Sequence, residues 1–462
     1  MERPIQRAGR MFSRTGLRAF AHRMRPGEML RYVEVHLVSL GSIAIRGMSV
    51  LAGFIITFYL GHRLGPLANG QYALIAQTAM FLSVIAVGGM DLAVVRHFSA
   101  TMSLNRPLSP RSLLRAAGFS FGAGALIVLT LVIGGPPLLK FLFDRDLPRN
   151  ALLILCVLLM ARTGTRLTAA VLRSQEQHLR GQSVEVLIIP GCVAIMLMLG
   201  ILEHDLHTVL WATAIVGVGT AIFGLLSASR FVRRDKNAID VTFGTLFQTS
   251  LPLWATAIAL NINDWYSLAT AATTLSVYDA GLYRIAFQIG GALSFAATGM
   301  YNVFTARISA AVAVGDRHRV ARLARSCTRL SIACVLPAVI ALLAIADPLL
   351  RAIHPEFVRA VPLLRVILIG QAFWVLTGPA GLVLAMTGHE RINFMISAGM
   401  TVILLLTAPF AASAGGLLGL ATLTAAVPLA SNLANVIAVY RLEGINVMTG
   451  SMRSDGEDAP AA

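Results

Sequence analysis

The chain has 462 residues, 56% of them hydrophobic and only 13% charged, about half the charged share of an ordinary soluble domain. Its mean hydropathy of +0.74 excludes a surface that faces water all round. The formal charge of +16 does not point to nucleic acid, because the cations gather on one side of the spans set out below.

In chain order, residues 1–37 come first. Arg3, Arg7, Arg10, Arg14 and Arg18 recur every three to four residues, which on a helix makes one basic stripe. The tail reads either as an interfacial helix on anionic lipid or as a basic segment that only fixes topology. It does not read as a cleavable signal peptide, because the first apolar run is a full span with no A-x-A site after it. Six apolar runs follow, near 38–60, 70–95, 113–136, 150–172, 183–202 and 206–229. Each is close to the roughly 20 residues that cross a bilayer. An amphipathic linker at 230–248, with Arg230, Arg233, Arg234 and Lys236, leads to six more runs, near 249–272, 280–304, 327–346, 361–386, 392–411 and 416–440. A tail at 441–462 closes the chain. No ten-residue alternation of the barrel type is present. The predicted class is therefore all-α, a polytopic membrane protein of about twelve transmembrane helices.

With the amino terminus placed in the cytoplasm, 26 of the 38 Lys and Arg fall in cytoplasmic segments, 6 within spans and 6 in periplasmic loops (Arg63, Lys140, Arg145, Arg149, Arg351 and Arg359). This is the positive-inside bias, and it puts both termini in the cytoplasm. Cys156, Cys192, Cys327 and Cys334 lie in or at the ends of spans with no metal-ligand spacing, so they read as small core residues. No metal or other cofactor is expected.

Shifted by 211 residues, the sequence matches itself. Between 64 and 100 the ungapped identities include Gly70/Gly281, Tyr72/Tyr283, Gln77/Gln288, Ser83/Ser294 and Arg96/Arg307. Six spans separate equivalent positions, so both copies share one orientation. This predicts two parallel six-helix lobes, 38–229 and 249–440, around a central cavity, as an alternating-access transporter needs. Helix breakers at Pro190-Gly191, Pro252, Gly290-Gly291, Pro337, Gly378-Pro379 and Pro428 permit bending.

Charges inside the spans are the candidate site. A charge at mid-bilayer costs about 2.5–3.5 kcal/mol on insertion scales, so each needs a partner, a wet cavity or a task. Arg162 sits at the middle of the fourth span, with Arg166 one turn on and on the same face. Arg46 lies about a third of the way across the first. These three are the predicted cavity cations for a phosphate or pyrophosphate group, because a guanidinium matches phosphate oxygens as a fork and keeps its charge when buried. Asp91 and Asp264 are the predicted ion-coupling or charge-partner residues. Asp91 can instead pair with Arg96, and Asp264 with a neighbouring Arg. Glu185, Arg284, Arg329 and Arg365 fall near span ends, where long side chains reach the interface. No catalytic residue is expected.

Three stretches carry a resemblance. Arg63-Leu64-Gly65-Pro66 followed by Gly70-Gln71-Tyr72-Ala73-Leu74 resembles an "LGP…G.YAL" pattern. Leu384-Ala385-Met386-Thr387-Gly388-His389-Glu390-Arg391 resembles an "L…TG..R" turn, and Asn432 through Tyr440, then Arg441-Leu442, resembles the close of a twelfth span. Both patterns and their order are similar to those of polysaccharide flippases in the multidrug/oligosaccharidyl-lipid/polysaccharide exporter superfamily. The resemblance covers roughly residues 38–445. It implies two six-helix bundles in a V around a cation-lined cavity in the bacterial inner membrane. It also implies movement of undecaprenyl-pyrophosphate-linked oligosaccharide repeat units to the periplasmic leaflet, for lipopolysaccharide or exopolysaccharide synthesis. The partners implied are that lipid-linked oligosaccharide, membrane lipids and the polysaccharide polymerase and export machinery. The resemblance names no individual cavity residue. One alternative is an ion-coupled drug or metabolite exporter of the same superfamily. A second is a membrane glycan polymerase or ligase, disfavoured because the longest periplasmic loops, around 137–149 and 347–360, are too short for a catalytic domain.

Overall fold

The computed structural model describes residues 26–103, 109–143, 150–202, 205–231, 238 and 240–452. The arginine stripe of the amino-terminal tail lies outside them, and so does most of the linker. The described residues form helices α1 (Pro26–Val87), α2 (Met90–Ser103), α3 (Pro110–Phe143), α4 (Ala151–Ser174), α5 (His178–Gln182), α6 (Ile188–Met198) and α7 (Leu206–Ser229). After the linker come α8 (Phe243–Thr270), α9 (Val277–Ala313), α10 (Arg317–Ile353), α11 (Val361–Leu376), α12 (Ala380–Met386) and α13 (Glu390–Glu443). A π-turn, Ser183–Leu187, joins α5 to α6, and a second, Ala271–Leu275, ends α8.

Eight helical stretches are long and apolar enough to cross a bilayer by length and composition. Two of them hold two crossings each, because α1 breaks at Gly65 (φ 77°) and α13 at Gly416 (φ 59°). Only glycine adopts these left-handed angles without strain. The remaining two crossings, α8 and α9, are long enough but more polar, with Asn261, Asn263 and Asp264 on one and Arg284 and Gln288 on the other. The chain is thus an all-α polytopic membrane protein, and with α8 and α9 counted the described helices supply enough length for twelve crossings.

Local signals start these helices. Ser276 caps α9 by accepting from the Asp279 amide at 3.0 Å, and Asp316 caps α10 by accepting from the Arg319 amide at 2.8 Å. Each satisfies one of the amides a helix start leaves free. Several helices outrun their apolar cores. The linker ends sooner than its expected limit of 248: Thr242 caps α8, so that helix begins at Phe243 rather than 249. The fifth crossing begins at His178 rather than 183. Of the breakers, Gly378-Pro379 interrupts a crossing, while Pro252, Pro337 and Pro428 sit inside continuous helices. The tail folds back on α10: Ile445 bridges to Met452, Val447 is fully buried, and its carbonyl accepts from Thr328 Oγ1 at 3.1 Å.

Helices up to Ser229 pack mainly on one another, and so do those from Phe243 onward. The two groups meet unequally at their two ends. Near Gly65 and Ser276 one hydrophobic core spans both, with Ala73, Leu74, Phe54 and Phe58 packed among residues of α9, α10, α11 and α13. The repeat-related Gly70 and Gly281 touch there: a Cβ on Gly70 would lie 2.1 Å from the Val277 carbonyl oxygen, and one on Gly281 1.9 Å from that of Pro66. Asn69 donates to the Gly281 carbonyl at 3.2 Å, and a His62 ring nitrogen lies 2.7 Å from the Ile353 carbonyl. At the other end there are two separate cores, one around Met90, Phe98 and Val171, the other around Ile308, Cys327 and Val439. The first end is closed and the second open.

Helix α8 belongs to both groups. At the open end it rides with the first: Phe119 packs on Phe243 and Phe247, His97 Nε2 lies 2.8 Å from Thr249 Oγ1, and Gly89 abuts the Ser250 carbonyl. Just before it, Asp240 accepts from Ser112 Oγ at 2.9 Å and from Arg115 at 2.8 Å, which together hold its carboxyl below the usual carboxylate range. Toward the closed end α8 joins the second group, where Tyr266 donates to the Leu405 carbonyl at 2.9 Å.

Candidate functional site

The charged stripe of α4 faces the interior. Arg162, Arg166 and Arg173 are four and seven residues apart, hence on one face, and acids on α2 and the π-turn meet them. Arg166 Nη2 lies 3.2 Å from Asp91 Oδ2, with side chains 16% and 6% exposed. Arg173 Nη1 lies 2.5 Å from Glu185 Oε2. Asp91 therefore takes Arg166 rather than Arg96, which gives that one of the two neighbouring cations an anionic partner. The π-turn at Ser183–Leu187 carries Glu185; such turns re-aim side chains inside a helix.

Arg162 is left over. Its guanidinium makes no hydrogen bond or ion pair among the described residues, and the residue is only partly exposed. It lies within electrostatic reach of Tyr72, Arg166 and Glu185. Tyr72, whose hydroxyl is 3.5 Å from Thr213 Oγ1, feels both Arg162 and Arg284. Arg284 in turn feels Asp264, Tyr72 and Tyr283. Asp264 is surrounded by protein but exposed, and forms no ion pair among the described residues. These groups lie within electrostatic reach of one another where the two helix groups face each other.

The site is thus Arg162 and Arg284, one from each half, converging on Tyr72 beneath the closed end, with Asp264 at its side and the Asp91–Arg166 pair flanking it. Tyr72 and Tyr283 are repeat mates, so the cluster straddles the relation between the halves. Arg46 is not part of it. That residue is exposed on the face of α1 that carries Ser42 and Ser49, which bond Gln182 and the Val186 carbonyl. It lies eleven residues, about 16 Å of helix, toward the open end from Thr57, which bonds Gln288 at 2.8 Å across the halves.

The sequence reading missed Arg284 by three residues. With the span started at 280 it looked like an end-of-helix cation, whereas the Ser276 cap starts α9 at Val277 and carries Arg284 about 10 Å in. The Tyr72/Tyr283 identity in the repeat was the available signal, since Arg284 adjoins it. Among the described residues no cluster of His, Cys, Asp or Glu fits a metal.

No protein-family model and no curated protein matches the sequence. Solved structures do match. The chain resembles the inward-facing conformation of a multidrug resistance MATE family transporter of the MOP superfamily, with TM-score 0.68 and 13% identity over 88% of this chain and 99% of that one. It resembles the outward-facing conformation of such a transporter less, with TM-score 0.53 and 12% identity over 89% and 93%. Lipid II flippase MurJ in its inward closed conformation matches with TM-score 0.60 and 14% identity over 87% of each chain. This multi-pass membrane protein has the fold of MOP superfamily transporters.

Proposed function

We propose that the protein is a flippase of the bacterial inner membrane. In this reading it moves undecaprenyl-pyrophosphate-linked oligosaccharide repeat units from the cytoplasmic to the periplasmic leaflet for surface polysaccharide synthesis. The observation that carries the reading is that Arg162 and Arg284, which come from opposite halves, both lie within electrostatic reach of Tyr72. Two forks facing one space suit a pyrophosphate, whose oxygens accept bidentate bonds.

The open end is cytoplasmic on the distribution of Lys and Arg. The head group enters there, the polyprenyl tail stays in lipid, and the pyrophosphate reaches Arg162, Arg284 and Tyr72. Closure of the open end and parting of the Gly70–Gly281 contact then release it on the far side. No covalent chemistry is required. Asp264, whose charge neighbour is Arg284, is the residue proposed to exchange a coupling ion as the anion binds and leaves. Asp91 holds Arg166 in place. Arg46, nearer the mouth, attracts the anion rather than binding it at depth.

The test is complementation. Arg162→Ala and Arg284→Ala, each at wild-type protein level, are expected to lose most polysaccharide export, and Arg46→Ala only part. Normal export by both Arg162→Ala and Arg284→Ala would refute the site.

A further inference from the structure

A cavity lies away from the arginines, between helices of the C-terminal group. It has a volume of about 320 Å³ and opens between α8, α11 and α13, at the small end of the roughly 300–1,000 Å³ typical of ligand pockets. None of its lining side chains is charged, yet many can hydrogen-bond: Asn263, Thr401, Ser431, Asn432 and Asn435 all line it, beside Trp374.

The polar groups are not all satisfied internally. Asn432 is used up in structure, donating to Thr377 Oγ1 and to the Gly378 carbonyl at 3.1 Å, and so holds the break in the tenth crossing. Asn263 donates to Thr401 Oγ1 at 3.2 Å, but its Oδ1 is buried without a partner. Asn435, 5% exposed, also has a partnerless buried Oδ1. An unmet buried carboxamide costs about 1–3 kcal/mol, and membrane interiors supply no donors. Carboxamides, hydroxyls and an indole around a neutral, partly apolar space match a ligand that offers several hydroxyl groups and an apolar ring face.

We propose that this cavity is a sugar subsite, which takes an uncharged monosaccharide unit of the glycan while the pyrophosphate is held at Arg162 and Arg284. The inference rests on the flippase reading and divides the head group between two places. Arginines take the anionic part common to any such carrier, and the uncharged cavity selects the glycan.

The test uses the purified full chain in detergent and two probes, undecaprenyl pyrophosphate alone and the same carrier bearing a trisaccharide of neutral hexoses. Wild type is expected to bind both, the second more tightly. Asn435→Leu, and separately Ser431→Phe, which fills the space without touching the Asn432 bonds, are expected to weaken binding of the glycan-bearing probe by about five- to tenfold. Binding of the bare carrier should stay within about twofold. Arg162→Ala should weaken both probes. Equal weakening of both probes by the cavity variants, or no weakening of either, would overturn the subsite and leave the flippase reading standing. A wild-type chain that binds neither probe would overturn both.

Discussion

The contact between Gly70 and Gly281 offers a perturbation whose size follows from geometry. Both glycines are helical, so alanine would strain no backbone angle and would favour the helix by about 1 kcal/mol. What it cannot do is fit. The added methyl would stand 2.1 Å from the Val277 carbonyl oxygen or 1.9 Å from that of Pro66, against the roughly 3.5 Å at which such atoms rest. Overpacking of this kind costs about 1–3 kcal/mol. Because the clash exists only while the halves meet at this end, the cost falls on one conformation, a shift of about 5- to 150-fold in the closed-to-open ratio. The assay is the spin-label distance between Arg63→Cys and Arg359→Cys, both exposed at the closed end, in a chain without its four native cysteines. Gly70→Ala and Gly281→Ala should each populate a longer distance, and their repeat relation requires them to act alike. An unchanged distance distribution in both variants, with both proteins folded, would refute the idea that this contact closes the periplasmic side.

Other consequences follow from single contacts. Asp91→Asn removes the partner of a cation only 16% exposed, so solubilised protein should lose about 3–5 kcal/mol of stability. Adding Arg166→Gln should recover part of that loss, as read by thermal unfolding of the two variants. Gly378→Ala forces an L-residue to φ +73° and sets its Cβ 2.3 Å from Thr328 Oγ1; the left-handed angle alone costs about 1–2 kcal/mol, and melting should drop accordingly. The Asp240 carboxyl is held below its ordinary value, first by Ser112 and then by Arg115. A depressed folded pKa adds stability present above the unfolded value, near 3.9, and lost as pH falls through the folded one. Amide exchange of residues 240–242, corrected for intrinsic rate, should therefore stay slow at neutral pH and quicken in acid, while Asp240→Asn should exchange fast throughout.

Hydropathy was enough to read an all-α polytopic membrane protein, because apolar length is the strongest constraint a bilayer imposes. The internal repeat was legible from a few identities, and two of them, Gly70/Gly281 and Tyr72/Tyr283, lie at the junction of the halves. Helix ends were less legible. Caps at Thr242, Ser276 and Asp316 extend helices beyond the apolar stretch, and the Ser276 cap hid Arg284 among end-of-span residues, while the earlier start of the fifth crossing at His178 did the same for Glu185. The cations were readable one by one, but pairing was not: nothing in the spacing distinguishes Arg166, which Asp91 holds, from Arg162, which is left unpaired. The path of α8 was invisible too. Its polar face suits two different partners along its length, and only the packing of Phe119, Phe243 and Phe247 shows where it changes sides.

The most direct measurement is made on a strain lacking this protein. Undecaprenyl-linked oligosaccharides would be extracted and assigned to a membrane face with a reagent that cannot cross the bilayer. Complete repeat units held on the cytoplasmic face, and released by the wild-type gene but not by Arg162→Ala, are the predicted result. Unchanged surface polysaccharide with no accumulated intermediate would contradict the account and turn attention to small-molecule export, for which a drug-susceptibility panel is the next readout.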